Sequence, residues 1–250
     1  ESLRLRFIKT ASKRFFLWLI FGIILDKTLN IYLLPGMGAD ERLFEKMDIK
    51  HGNLHHLRWE YVEGCVTLSD YAAVLCERIQ TENNVLIGSS MGGMMAVEMY
   101  RIGTFDDLIL LSAPSSTLEF PPVLKTFGKL NAGKWFGKKT LFKLNRAANL
   151  FMGFQNEEHE KLFYEMLEGY GPDFLKYAVN AILKWDLKEA PNEYLQIIGS
   201  KDRLFKLKRM PKAIVLEGSG HFMTFEQPEE ITKLVNARLA ALSELLRDSK

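Results

Sequence analysis

The chain has 250 residues, 47% of them hydrophobic and 26% charged, and a formal net charge of +2. That balance fits a water-soluble globular domain large enough to bury a sizeable core, and it excludes disordered, collagen-like and disulfide-dense small scaffolds. The two cysteines, Cys65 and Cys76, share no metal-ligand spacing with each other or with the five histidines. They read as reduced structural residues, and so point to a cytoplasmic protein.

In chain order, the first feature is a basic stretch, Arg4 to Arg14, followed by an unbroken apolar run from Phe15 to Leu25. Basic then apolar resembles a signal peptide. The run of 11 residues is too short to cross a bilayer, which takes about 20. Leu3, Leu5 and Phe7 alternate with polar residues, as in a half-buried strand. Residues 1–29 are therefore expected to form an N-terminal extension packed on the rest of the chain, with membrane association as the alternative.

Five short apolar runs then end in glycine or small polar clusters: Ile31–Leu34, Val85–Ile87, Leu108–Leu111, Tyr194–Ile198 and Ala213–Leu216. Such runs read as buried strands with loops at their carboxyl ends. A sixth candidate, Leu54–Tyr61, is interrupted by His55, His56 and Arg58. Helical patterns lie between the runs, at Ser69–Gln80, Gly92–Arg101 and Pro228–Leu246, the last opened by a proline. Strands alternating with helices predict a mostly parallel sheet covered on both faces.

The alternation breaks between Pro114 and Pro191. Four helical segments replace it, over Pro122–Leu130, Lys139–Met152, Glu157–Glu168 and Asp173–Trp185. The expected organisation is a core of residues 30–113 and 191–250, with a helical insertion over 114–190. Residues 121–156 carry seven Lys or Arg and no Asp or Glu, interleaved with aromatic residues. Two readings stand. The segment is an amphipathic cap with lysines in water, or it attracts an anionic substrate or membrane surface. No nucleic-acid-binding motif accompanies the charge.

The strongest chemical signal is Gly88-Ser89-Ser90-Met91-Gly92 between a strand and a helix. A very tight turn there needs small residues two before and two after the serine. Only Ser90 has glycine at both offsets, which marks it as the nucleophile of a serine elbow. The helix that follows points its N-terminal N–H groups at the same place. No Lys-Ser/Thr follows the glycines, which argues against a phosphate-binding loop.

With its opening Ile31-Tyr32-Leu33-Leu34-Pro35-Gly36-Met37-Gly38-Ala39-Asp40-Glu41-Arg42 and this elbow, the chain resembles the α/β-hydrolase superfamily over roughly Asn30 to Leu246. It looks most like the small, helically capped, esterase- and lipase-like members. The resemblance implies an α/β-hydrolase fold and the chain order nucleophile, acid, histidine: Ser90, Asp202 and His221. Asp202 follows a strand in Gly199-Ser200-Lys201-Asp202, and His221 follows the next in Gly218-Ser219-Gly220-His221. An imidazole activates the hydroxyl, and a carboxylate fixes its tautomer. The rival histidines His51, His55, His56 and His159 have the wrong chain position, and Glu119 is a distant second choice for the acid.

The same resemblance implies backbone N–H donors for an oxyanion at Met91 and Met37. Many relatives have His-Gly at the second loop, where this chain has Pro-Gly. The methionine side chains either line the pocket or fill core. Gly36, Phe222 and Trp135 are candidates for substrate contact. The expected function is hydrolysis of a carboxylic ester or thioester of a small acyl compound through an acyl-enzyme, without cofactor or metal. The alternatives are a lyase or perhydrolase on the same fold, a membrane-associated lipase, and a non-catalytic binding scaffold.

Overall fold

Buried runs of branched and aliphatic side chains have no polar face to offer water, so they pair with one another in the middle of a layered structure. The computed structural model describes residues 28–122, 126, 154 and 156–248. Residues 1–27 of the expected N-terminal extension, the second expected insertion helix, most of the first, and Trp135 lie outside the described residues.

Six strands form one all-parallel sheet: β1 (Asn30–Leu34), β2 (Asn53–His56), β3 (Asn84–Ser89), β4 (Asp107–Leu111), β5 (Leu195–Gly199) and β6 (Ile214–Leu216). Their order across the sheet is β2-β1-β3-β4-β5-β6. The central strands β3 and β4 are buried along their whole length, and both read in the sequence as continuous apolar runs. All carboxyl ends face one edge, where their loops converge.

The sixth candidate strand is shorter than expected. β2 stops at His56, because the chain then turns over the sheet edge to bury Trp59, whose indole N–H donates to the Pro35 carbonyl at 3.2 Å. Its outer face is wet, as befits an edge strand.

Helix α1 (Leu68–Arg78) starts one residue earlier than the apolar stripe suggested. A capping box decides the boundary. Thr67 Oγ1 accepts the Asp70 N–H at 3.1 Å, and the Asp70 carboxylate accepts the Thr67 N–H at 2.8 Å. Helix α2 (Met91–Ile102) runs directly out of β3. The C-terminal helix α6 (Pro228–Asp248) lays Ile231, Val235 and Leu239 on the core, and Arg238 forks the buried Asp107 carboxylate at the start of β4 with bonds of 2.7 and 2.9 Å.

Between β4 and β5 the described part of the insertion is helical. Helix α3 (Glu157–Glu168) is capped by Asn156, and α4 (Pro172–Lys184) begins with the proline at its first turn. Their apolar faces, including Phe163, Met166, Leu167, Phe174 and Tyr177, are buried. The base of the insertion is cinched where the Leu187 carbonyl accepts both the N–H and the hydroxyl of Thr117, each at 2.8 Å.

Among the described residues, three aromatic side chains of the insertion, beside the Arg42–Glu165 ion pair, tie it to the sheet layer. Tyr170 donates to the Ala39 carbonyl at 2.7 Å, Tyr177 to the Thr67 carbonyl at 2.9 Å, and the Trp185 indole to the buried Glu98 carboxylate of α2 at 2.7 Å. A short helix α5 (Met223–Glu226) precedes α6.

Candidate active site

Ser90 stands between β3 and α2 with φ 52° and ψ −119°. A positive φ is unfavourable for any residue with a Cβ, costing on the order of 1–3 kcal/mol, and persists only where the surroundings enforce it. Here the enforcement is steric and hydrogen-bonded. A Cβ on Gly88 would collide with the backbone of Gly92 and Gly93, and one on Gly92 with the carbonyls of Leu34 and Pro35. The second glycine thus makes room for the end of β1 rather than for the first glycine. The Ser90 N–H donates to the Leu111 carbonyl at 3.1 Å, while its carbonyl accepts the Gly93 and Met94 N–H groups.

The turn brings Ser90 Oγ within 3.0 Å of His221 Nε2, and His221 Nδ1 lies 2.8 Å from Asp202 Oδ2. The imidazole and carboxylate are almost fully buried, with side-chain exposures of 2% and 0%. Asp202 Oδ1 accepts the N–H groups of Leu204 and Phe205, each at 2.8 Å. These bonds satisfy the carboxylate and aim its second oxygen at the ring. A carboxylate can only accept, so His221 carries its proton on Nδ1 and presents a lone pair at Nε2 to the serine hydroxyl.

The loops that carry acid and histidine brace each other. Lys201 N–H donates to the Ser219 carbonyl at 2.8 Å, and Gly218 N–H to Ser200 Oγ at 2.9 Å. The expected set Ser90, Asp202 and His221 is therefore brought together from loops after β3, β5 and β6.

The rival groups lie elsewhere. Glu119 spends its carboxylate on Ser115 and Gln196 at 2.7–3.0 Å. His55 stacks on Tyr32 with ring centres 4.7 Å apart. His159 is buried in α3 beside Phe225, and burial lowers its affinity for a proton.

Gly36 packs directly against the nucleophile, since a Cβ there would sit 3.3 Å from Ser90 Cβ and 4.0 Å from Oγ. Met37 follows in the same turn and is half-buried, while Met91 is 1% exposed, so its side chain fills core. As first residue of α2, Met91 has an N–H without an acceptor inside its helix. Phe222 is buried, stacked on Phe225 at 5.0 Å and edge-on to the cap residues Phe154 and Phe163.

One group had no counterpart in the sequence reading. Glu226, in α5, accepts the Gly220 N–H just before His221. Burial pushes its carboxyl above the usual range, and the Gly220 N–H it accepts and the nearby Lys201 charge oppose that shift. The only signal for it was a carboxylate five residues after the histidine. Among the described residues no three His, Cys, Asp or Glu side chains gather as metal ligands would, and no helix is long and apolar enough to cross a membrane.

The chain is similar over most of its length to solved structures. A thermophilic esterase from Thermogutta terrifontis superposes with a TM-score of 0.70 at 18% identity, covering 86% of this chain and 90% of the esterase. MenH from S. aureus gives 0.66 at 16% identity, over 87% and 96% of the two chains. An esterase from Exiguobacterium antarcticum gives 0.65 at 15%, over 85% and 92%. At these identities the likeness is one of fold. A search of curated proteins found no match. The family model of the alpha/beta hydrolase family matches residues 26–234, and the chain belongs to that family.

Proposed function

We propose that the protein hydrolyses a carboxylic ester or thioester of a small acyl compound, with Ser90 as nucleophile. The observation that carries this reading is the relay from Ser90 Oγ through the His221 ring to a fully buried Asp202, at 3.0 and 2.8 Å, on a serine held at positive φ. A binding scaffold has no use for a strained serine facing an oriented imidazole.

Ser90 Oγ attacks the acyl carbon as its proton passes to His221 Nε2, and the carbonyl electron pair moves onto oxygen. That oxygen is received by the N–H groups of Met91, the first residue of α2, and of Met37, the residue after Gly36. Collapse of the adduct expels the alcohol or thiol, which takes the proton from His221. Water then attacks the acyl-serine, giving its proton to Nε2, and the acid leaves as Ser90 recovers its hydrogen. Asp202 keeps its charge throughout and stabilises the imidazolium formed in each half.

Activated short-chain esters and thioesters test the proposal. Wild-type protein should turn them over and be labelled at Ser90 by a fluorophosphonate, with both signals lost in Ser90→Ala and in His221→Ala. Turnover by Ser90→Ala at the wild-type rate would sink the assignment.

A further inference from the structure

The turn Pro35–Ala39 supplies one of the two proposed oxyanion donors, and its amide must stay within a few tenths of an ångström to be useful. A turn of this kind has few side chains of its own to hold it. Its grip comes from outside, at both ends. At the leading end the Pro35 carbonyl accepts the indole N–H of Trp59 at 3.2 Å, a buried residue that follows β2 and packs on Tyr71 of α1 and Phe174 of α4. At the trailing end the Ala39 carbonyl accepts the Tyr170 hydroxyl at 2.7 Å.

Tyr170 belongs to the cap, in the link between α3 and α4. Leu167, one helical turn before it, presses on the same loop, leaving no space for a side chain at Gly38, whose φ of 78° already calls for glycine. Inside the turn, Ala39 N–H donates to the Gly36 carbonyl at 3.1 Å, so Met37 lies within one closed unit whose two ends are pinned by different layers of the molecule.

Resting on the hydrolase reading above, we infer that Tyr170 is a positioning residue for the oxyanion donor: through the Ala39 carbonyl, the seat of the cap sets where the Met37 N–H points. Acceleration of the chemical step, and not only substrate selection, then depends on the cap. Burial keeps the Tyr170 hydroxyl protonated across any working pH, so the donor is permanently available.

The molecule contains its own control. Tyr177 makes a cap-to-core bond of the same chemistry, hydroxyl to the Thr67 carbonyl at 2.9 Å, but Thr67 caps α1 and does not belong to the oxyanion turn.

The experiment compares Tyr170→Phe with Tyr177→Phe on an activated ester and on a trifluoromethyl ketone. Ser90 adds to the ketone carbon and leaves a negative oxygen in the hole. Tyr170→Phe should lower kcat about fivefold to tenfold, as loss of one hydrogen bond allows, with KM nearly unchanged, and should weaken the ketone adduct by the same factor. Tyr177→Phe should match it in Tm while retaining wild-type kcat and adduct affinity. Trp59→Phe, which frees the other end of the turn, should repeat the Tyr170→Phe signature and serves if that variant does not fold.

Unchanged kcat in Tyr170→Phe, or an equal loss in Tyr177→Phe, overturns the inference. A wild-type protein that consumes no ester and takes no fluorophosphonate label overturns the hydrolase reading instead, so the two failures are told apart.

Discussion

The two halves of the site are held in different ways. The acid and histidine stand on loops after β5 and β6 that bond to each other, Lys201 N–H to the Ser219 carbonyl and Gly218 N–H to the Ser200 hydroxyl. That half is complete within the sheet domain. The turn Pro35–Ala39 is finished only by groups that reach it from elsewhere, Trp59 on one side and the cap residues Leu167 and Tyr170 on the other. The proposed proton relay is thus built into the sheet layer, while the proposed oxyanion donor is shared between that layer and the insertion. The physical reason is chain economy: β5 and β6 are neighbours whose loops meet directly, whereas the loop after β1 faces the insertion.

The sharpest way to break this contrast is at Asp202. Asp202→Asn keeps an oxygen for Leu204 and Phe205 but turns an amide toward the ring, which forces the wrong tautomer on His221. We expect kcat to fall on the order of 10⁴-fold, with little change in Tm. A large Tm loss would mean that the relay half is not self-supporting.

Next in size is the cap seat. Trp185→Phe leaves one oxygen of the buried Glu98 carboxylate without its 2.7 Å donor. The cost should be about 2 kcal/mol, read as a Tm drop of roughly 4–8 °C for a chain of this size. Activity of the folded fraction should suffer only to the extent that Tyr170 loses its register. A stability equal to wild type would remove Glu98 as a cap anchor.

The smallest effect is a pH dependence. Burial holds His159 below the ordinary imidazole value of 6.5, and Lys46 adds repulsion that Glu158 partly offsets. The unfolded chain therefore binds the proton first, so stability is full above pH 6.5 and declines as pH falls below it. His159→Gln should flatten that decline between pH 6.5 and 5. A parallel slope in the variant would assign the decline to carboxylates alone.

Much of the frame was legible in the residues. Five of the six strands were marked by apolar runs ending in small residues, because a parallel sheet buried on both faces demands such runs. Ser90 was marked by its two glycines, since only that spacing meets the sterics of the turn. β2 is shorter than its apolar residues suggest: pairing with β1 ends at the Leu57 N–H, which donates to the Leu33 carbonyl, and Trp59 serves the turn above β1 instead. The helix beginning at Leu68 was placed one residue late because Thr67 and Asp70 act as a reciprocal cap rather than through hydrophobic periodicity.

What stayed hidden was long-range. Tyr170 to Ala39, Tyr177 to Thr67 and Trp185 to Glu98 join residues 131, 110 and 87 positions apart. No local pattern announces such pairs. Glu226 was equally silent: its partner is a backbone N–H, which every sequence offers everywhere.

The cap leaves and rejoins the sheet between β4 and β5, which lie side by side, and its stem is closed by Thr117 and Leu187. Of the hydroxyl and indole donors it sends to the core, Tyr170 and Tyr177 end on main-chain carbonyls and Trp185 on Glu98. Main-chain acceptors are insensitive to what side chain they carry. Two of these three sockets are therefore indifferent to the core's side chains, and the inserted segment must bring its own hydroxyls and indole. A replacement cap grafted at these two ends should function when it supplies a tyrosine to the Ala39 carbonyl, and should remain a folded but sluggish chimera when it does not. On the proposed role of Tyr170, swapping whole insertions would exchange specificity, with that tyrosine as the part that cannot be left behind.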